Sequence, residues 1–273
     1  MENGVANKFF QINNPQSALI LDVKIDILEK NAVLNKIQII LNSTIKKPYL
    51  ITPINLELIM MAQKNNLFKE YLNSISNLNT VDGVGIINVL KWYNINIKER
   101  VCGSDLVYEI AELCMKNNKR FFILGASEEV SLQAKVKLQK LYPKLEITNY
   151  SPPYTKEISF SHSEVNNIKN KIRDFKPDVL CVAFGAPKQE LFIYDNYSFF
   201  EKENIKICIG LGGSFDFIAG KVKRAPDIFK KTGNEWLYRL LQEPKIRFKR
   251  QMTTIPLYYY LCAKEYFSRK RFK

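Results

Sequence analysis

Apolar runs and amphipathic stretches alternate along most of this chain. "ALILDVKIDIL" (18–28) and "PYLIT" (48–52) are short runs dense in branched apolar residues and read as strands. Between them, "LNKIQIILNSTI" (34–45) spaces its apolar positions for a helix. "NLELIMMAQKNNLFKEYLNSI" (55–75) repeats apolar residues every three or four positions and predicts one long helix. "RFFILGA" (120–126) predicts a buried strand, followed by a helix over "SEEVSLQAKVKLQKLYP" (127–143) with Ser127 as its N-cap. "DVLCVAFG" (178–185) and "IKICIGLGG" (205–213) are two further apolar runs that end in glycine. Such alternation predicts an α/β fold, a largely parallel Rossmann-like sheet flanked by helices.

The polar stretch "SPPYTKEISFSHSE" (151–164) predicts a long loop, and no linker or internal repeat divides the chain. After Gly220 the pattern changes. "NEWLYRLLQEPKIRFKRQ" (234–251) and "TIPLYYYLCAKEYFSRKRFK" (254–273) read as two basic helices, the second rich in aromatics. The expected division is an α/β core over 1–220 and a basic, aromatic-rich helical appendage over 221–273. Charge follows the same division. Of the net +14, residues 221–273 supply +11, with 15 basic and 4 acidic side chains. That asymmetry implies a polyanionic partner: phosphates, an anionic membrane surface or nucleic acid.

Composition then removes several chemistries. The five cysteines are scattered without a C-x-x-C pair, which fits a reduced cytoplasmic chain without structural zinc. His162 is the only histidine and lies in the polar loop, so a histidine-based triad or metal site is not expected. Neither the G-x-G-x-x-G dinucleotide fingerprint after an early strand nor the G-x-x-x-x-G-K-[ST] phosphate loop occurs. No Asp-x-Asp occurs either, so the usual carboxylate pair for a metal-bound diphosphate is missing. No run of about 18 uncharged apolar residues predicts a membrane-spanning helix, and the opening residues lack the apolar stretch of a secretory signal.

What remains is a set of turns. "FFILGASEE", "LCVAFGAPKQE" and "ICIGLGGSFDF" each leave an apolar run through glycine, where a parallel sheet places its ligands. Glycine there also serves purely steric ends, but three such turns together favour an anion-binding cleft. "NTVDGVGIINVLKWY" sets Asp82 between a β-like stretch and an apolar helix, either as a turn or capping residue or as a general base. In "ERVCGSDL", Asp105 suits a helix cap, and Arg100 suits a surface charge or an anion clamp. Spacing alone does not choose among these.

Read in order, "DGVGIINVLK", "RVCGSDL", "FFILGASEEV", "DVLCVAFGAPKQE", "GLGGSFDFIAGKVKRAP" and "NEWLYRLLQEP" resemble the WecG/TagA/CpsF family of bacterial glycosyltransferases (glycosyltransferase family 26), over about residues 50–250. The resemblance implies an inverting, metal-independent enzyme without a cofactor. It would move N-acetylmannosamine or its uronic acid from a UDP-sugar to a polyprenyl-diphosphate-linked N-acetylglucosamine, in teichoic acid or cell-surface polysaccharide synthesis. It also implies a cytoplasmic protein held peripherally at the inner face of the membrane, its basic tail closing over the site. Another UDP-hexose (glucose, galactose or N-acetylglucosamine) used in capsule or exopolysaccharide synthesis stays open, as does a homo-oligomer. A nucleic-acid-binding module would explain the tail but would leave the family motifs without a purpose, so no nucleic acid is expected.

By the same resemblance Asp82 is the base and Arg100 its neighbour in the pocket. Thr52, Asn55, Gln189, Glu190, Gly212, Gly213 and Asp216 hold the UDP-sugar, and Arg224, Arg239, Arg247 and Arg250 hold the diphosphate. Two motifs depart from the family pattern. In "TPINLE", Thr52 stands one residue out of register with Asn55 and Glu57, and in "PKIRFKR", Arg247 and Arg250 sit one residue late. Tyr258, Tyr259, Tyr260, Tyr266 and Phe267 are expected either at the lipid headgroups or packed on the body.

Overall fold

The computed structural model describes residues 17–226, 229, 235–242 and 244–270; the side chains of Arg239, Arg247 and Arg250 lie outside the described residues. Six strands form one parallel sheet: β3 (Tyr49–Ile54), β4 (Leu78–Val81), β5 (Phe121–Gly125), β6 (Ile147–Tyr150), β7 (Val179–Ala183) and β8 (Ile207–Gly210). Their spatial order is β4-β3-β8-β7-β5-β6. Every residue of β5, β7 and β8 is buried, as a sheet covered on both faces requires.

Helices cover the two faces. On one lie α2 (Leu56–Ala62), α4 (Val84–Trp92), α7 (His162–Phe175), α8 (Lys188–Asp195) and α9 (Tyr197–Lys202), which share a core with Leu180, Val182 and Cys208. On the other lie α1 (Lys30–Leu41), α5 (Gly103–Lys116), α6 (Glu128–Leu141) and α10 (Ser214–Ala219), packed with Cys181, Ile207 and Ile209. The chain therefore leaves β3 towards one face, through α2, and leaves the adjacent β8 towards the other, through α10. Neighbouring strands whose connections diverge in this way open a crevice at their carboxyl ends.

Three segments fold differently from their pattern. "ALILDVKIDIL" is a hairpin, β1 (Ser17–Ile20) and β2 (Val23–Asp26), because Leu21 and Asp22 both take left-handed backbone angles (φ 50° and 57°). The long helix expected over 55–75 breaks into α2, α3 (Asn66–Glu70) and a π-helical turn (Tyr71–Ile75). Asn65 breaks it, its Oδ1 accepting the N–H of Phe68 (3.0 Å), while Asn55, at the start of the expected helix, accepts those of Glu57 (2.9 Å) and Leu58 (3.1 Å). Each is an N-cap that begins a new helix.

The third difference is at the C-terminus. The helices are α11 (Glu235–Gln242) and α12 (Pro244–Lys270), so the break falls before Pro244 and α12 runs through Pro256. Proline suits a helix's first turn, where its missing N–H is not needed. At Pro256 the lost hydrogen bond is outweighed by packing. Gln251, Ile255, Tyr258 and Cys262 recur at spacings of four, three and four along the inward face, and Tyr258 and Cys262 are fully buried in the core. The Tyr258 hydroxyl donates to the Gly85 carbonyl (3.3 Å), and Trp92 packs between Tyr259 and Tyr266. Of the five aromatics, Tyr258 is thus removed from any surface, whereas Tyr260 and Phe267 are exposed. All five cysteines are reduced and buried.

Candidate functional site

The crevice between β3 and β8 is a cleft of about 660 Å³, within the range of small-molecule sites. Four strand ends supply its floor. Asn55 follows β3, Asp82 follows β4, Gly185 follows β7, and the run from Gly210 to Ser214 leaves β8.

Asp82 and Arg100 are 18 positions apart in the chain yet meet here, because the segment after α4 folds back along β4. The Val101 N–H donates to the Val81 carbonyl (2.9 Å), and the Thr80 hydroxyl donates to the Val101 carbonyl (3.0 Å). The Cys102 thiol lies against the Asp82 carbonyl (3.7 Å). Burial first, and the Asp82 charge second, push that thiol well above its ordinary pKa, so Cys102 is a thiol rather than a thiolate nucleophile.

Two helix starts add their positive dipole ends to the same rim. The N-caps, Gly83 of α4 and Cys102 of α5, make no side-chain capping hydrogen bond, and the first residues of both helices line the cleft. Uncapped first-turn N–H groups and the helix dipoles attract an anion there, alongside Arg100. Asp105 is not the helix cap that the spacing suggested. It is the third residue of the helix, within the first turn, and with Ser104 it binds the Arg224 guanidinium (Ser104 Oγ at 2.9 Å).

On the far side of β8, Gln189 ties two glycine turns together. Its Oε1 accepts the N–H of Gly185 (3.2 Å) and of Gly212 (2.9 Å), while its Nε2 donates to Glu190 (2.7 Å). Gly212 has φ +47°, in the left-handed region. A Cβ at Gly210 would lie 2.8 Å from Gln189 Nε2 and 2.9 Å from Glu190 Oε1, so only glycine lets β8 pass this pair.

The chain matches the family model for the glycosyl transferase WecG/TagA/CpsF family over residues 18–272. It belongs to that family. Its similarity extends to proteins named N-acetylglucosaminyldiphosphoundecaprenol N-acetyl-beta-D-mannosaminyltransferase. The one from Bacillus subtilis (strain 168) is 33% identical over 248 residues, 91% of this chain and 88% of the relative. Those from Bacillus spizizenii (strain W23) and Staphylococcus aureus (strain MRSA252) are 33% and 32% identical, over 75% and 77% of this chain and 74% and 78% of the relatives.

In this glycosyltransferase the cleft brings together Asp82, Arg100, Asn55, Gln189, Gly212, Gly213 and Asp216. Among the described residues, it leaves out three of those expected. Thr52 is buried and hydrogen-bonded to Ser76 (3.0 Å); one step along the strand, Pro53 faces the cleft instead. Glu190 is fully buried behind Gln189 and is not part of the lining. Arg224 is held at the rim by Asp105 and Ser104. Its neighbours Lys221 and Val222 form part of the wall, and Gln242 pairs with both the N–H and the carbonyl of Lys223 (3.1 and 3.0 Å). Sequence reading missed Gln251, Ile255 and Met61, which also line the cleft; only the apolar stripe of α12 hinted at a buried face there. Among the described residues no group of three or more His, Cys, Asp or Glu side chains is placed to hold a metal ion, and no helix is long and apolar enough to cross a membrane.

Burial raises the Glu190 carboxyl from 4.5 to about 7, against the smaller opposing effect of the Gln189 hydrogen bond. Between those values only the unfolded chain ionises, so this residue makes stability fall as pH rises from about 4.5 to 7 and then level off. Glu190→Gln removes the titration. Its melting temperature is expected to match the wild type near pH 4.5 and exceed it by several degrees at pH 8, a gap of roughly 3 kcal/mol. A pH-independent offset in paired thermal melts would contradict this.

Proposed function

We propose that this enzyme transfers N-acetylmannosamine, or its uronic acid, from a UDP-sugar to the N-acetylglucosamine of a polyprenyl-diphosphate lipid, with inversion at the anomeric carbon. The observation that carries the reading is a single cleft lined by both Asp82 and the glycine turn after β8, in a chain alike along most of its length to proteins named for that transfer. In this reading the Asp82 carboxylate takes the proton from the acceptor hydroxyl as its oxygen attacks the anomeric carbon. The bond from that carbon to the UDP diphosphate breaks, and UDP leaves with the electron pair. Arg100 and the first-turn N–H groups of α5 stabilise the growing charge, in place of a metal ion. Gly212, Gly213 and Asp216 border the nucleotide, with the Asp216 carboxylate suited to accept from ribose hydroxyls. Arg239, Arg247 and Arg250 are proposed to approach the diphosphate from α11 and α12. The basic C-terminal segment, with Tyr260 and Phe267 exposed on α12, is suited to an anionic bilayer, where each basic residue adds about 1 kcal/mol.

A panel of UDP-sugars tests this directly. Each is offered with a synthetic prenyl-diphosphate N-acetylglucosamine in the presence of EDTA, and the product is identified by mass. UDP-N-acetylmannosamine or its uronic acid is expected to give the disaccharide lipid. Transfer from another sugar alone, or loss of transfer on chelation, would overturn the respective part.

A further inference from the structure

The geometry points to Gln251 as the residue that reads the 2-acetamido group of the acceptor sugar, an inference resting on the function proposed above. Gln251 is 4% exposed, and its Oε1 is enclosed with no hydrogen-bond partner among the described residues. An enclosed acceptor left without a donor is destabilising, so its retention needs a reason. The side chain also lines the cleft. A ligand N–H reaching that wall would supply the missing donor.

The wall it occupies selects the acceptor rather than the nucleotide. α12 packs against α2 and α4, with Tyr258 seated on Gly85 in the first turn of α4. Gln251 lies two helical turns, about 10 Å, before Tyr258 on the same face. The lining also contains Leu56, Met61, Val84 and Ile255, which are apolar, and Glu57, which is charged. These belong to the α2, α4 and α12 side, whereas the glycine turns follow β7 and β8, and Asp82 opens the turn into α4. An acceptor whose hydroxyl is deprotonated by Asp82 would lie along this α4 side. An acetamido group offers an N–H for the Gln251 carbonyl and a methyl for the apolar side chains. The donor sugar carries the same group, so the test separates the two sources.

Initial rates are measured for the full chain and for Q251M, which keeps length and volume but loses the acceptor oxygen. The acceptors are prenyl-diphosphate N-acetylglucosamine and its glucose counterpart, which has a hydroxyl in place of the acetamido group. Q251M is expected to raise KM for the acetamido acceptor about ten-fold and to lose that much of its preference over the hydroxyl acceptor, with KM for the UDP-sugar within about two-fold. Without substrate, its melting temperature is expected to equal or exceed that of the wild type, since an unpaired buried acceptor has gone. A packing role predicts the opposite: a lower melting temperature with the acceptor KM unchanged. Q251A supplies a second variant, and stabilisation by UDP reports that each variant keeps its donor site. An active wild type with unchanged acceptor KM in both variants overturns this inference alone, as does a shift confined to the donor KM. A wild type that transfers no sugar overturns the parent function, and this inference with it.

Discussion

Asp82→Asn is expected to lower kcat by about 10²–10⁴-fold while leaving the affinity for UDP within about two-fold. The asparagine amide keeps the size of the carboxyl but takes up no proton at neutral pH. The local backbone should hold, because the features fixing it lie elsewhere: the Asp82 N–H donates to the Ile54 carbonyl (2.9 Å), and Val101 pairs with Val81. The loss should therefore appear in the chemical step and not in donor binding. Single-turnover rates together with calorimetric titration of UDP separate the two. Turnover within ten-fold of the wild type would mean that the acceptor proton leaves by another route.

Removal of the chain from Pro244 onward is expected to abolish transfer and also to lower the melting temperature by about 10 °C or more. The helix removed carries Gln251 and Ile255 of the cleft wall. It also carries Tyr258 and Cys262, which fill the core beside Ile86 and Leu90. Deleting one large buried aromatic side chain costs about 3–5 kcal/mol, and each of those is worth about 2–4 °C in a chain of this size. Trp92 and Tyr93 would lose their partners Tyr259 and Tyr266 at the same time. Tyr258→Ala in the full chain isolates the core contribution and is expected to reproduce most of the thermal loss. A truncated protein that melts within 2 °C of the full chain would show instead that the helix is a separable appendage.

Much of the fold was legible because its causes are local or periodic. Buried parallel strands need continuous apolar runs, and "RFFILGA", "DVLCVAFG" and "IKICIGLGG" are such runs. Where the reading failed, one or two residues outweighed the period. Asn65 satisfies the Phe68 N–H and starts a new helix inside an unbroken apolar repeat. Leu21 and Asp22 reverse a strand with no glycine to mark the turn. The site was legible in part for a related reason. Asp82 and Gly212 stand in the turns that follow strand ends and Asp216 in the first turn of the helix after β8, and strand ends converge in a parallel sheet. Glu190, beside Gln189 in sequence, turns inward, because successive residues on a helix point about 100° apart.

The sequence by itself determined the α/β class, the parallel sheet, the family and the placing of charge at the C-terminal end, since each depends on composition, period or ordered motifs. Only the tertiary structure decided which side chains share the cleft. It brought Arg100 back beside Asp82 through the Val101–Val81 pairing, engaged Arg224 with Asp105 and laid Gln251 into the wall. Contacts between residues far apart in the chain depend on how helices cross and where strands end, and no local pattern of residues encodes that geometry.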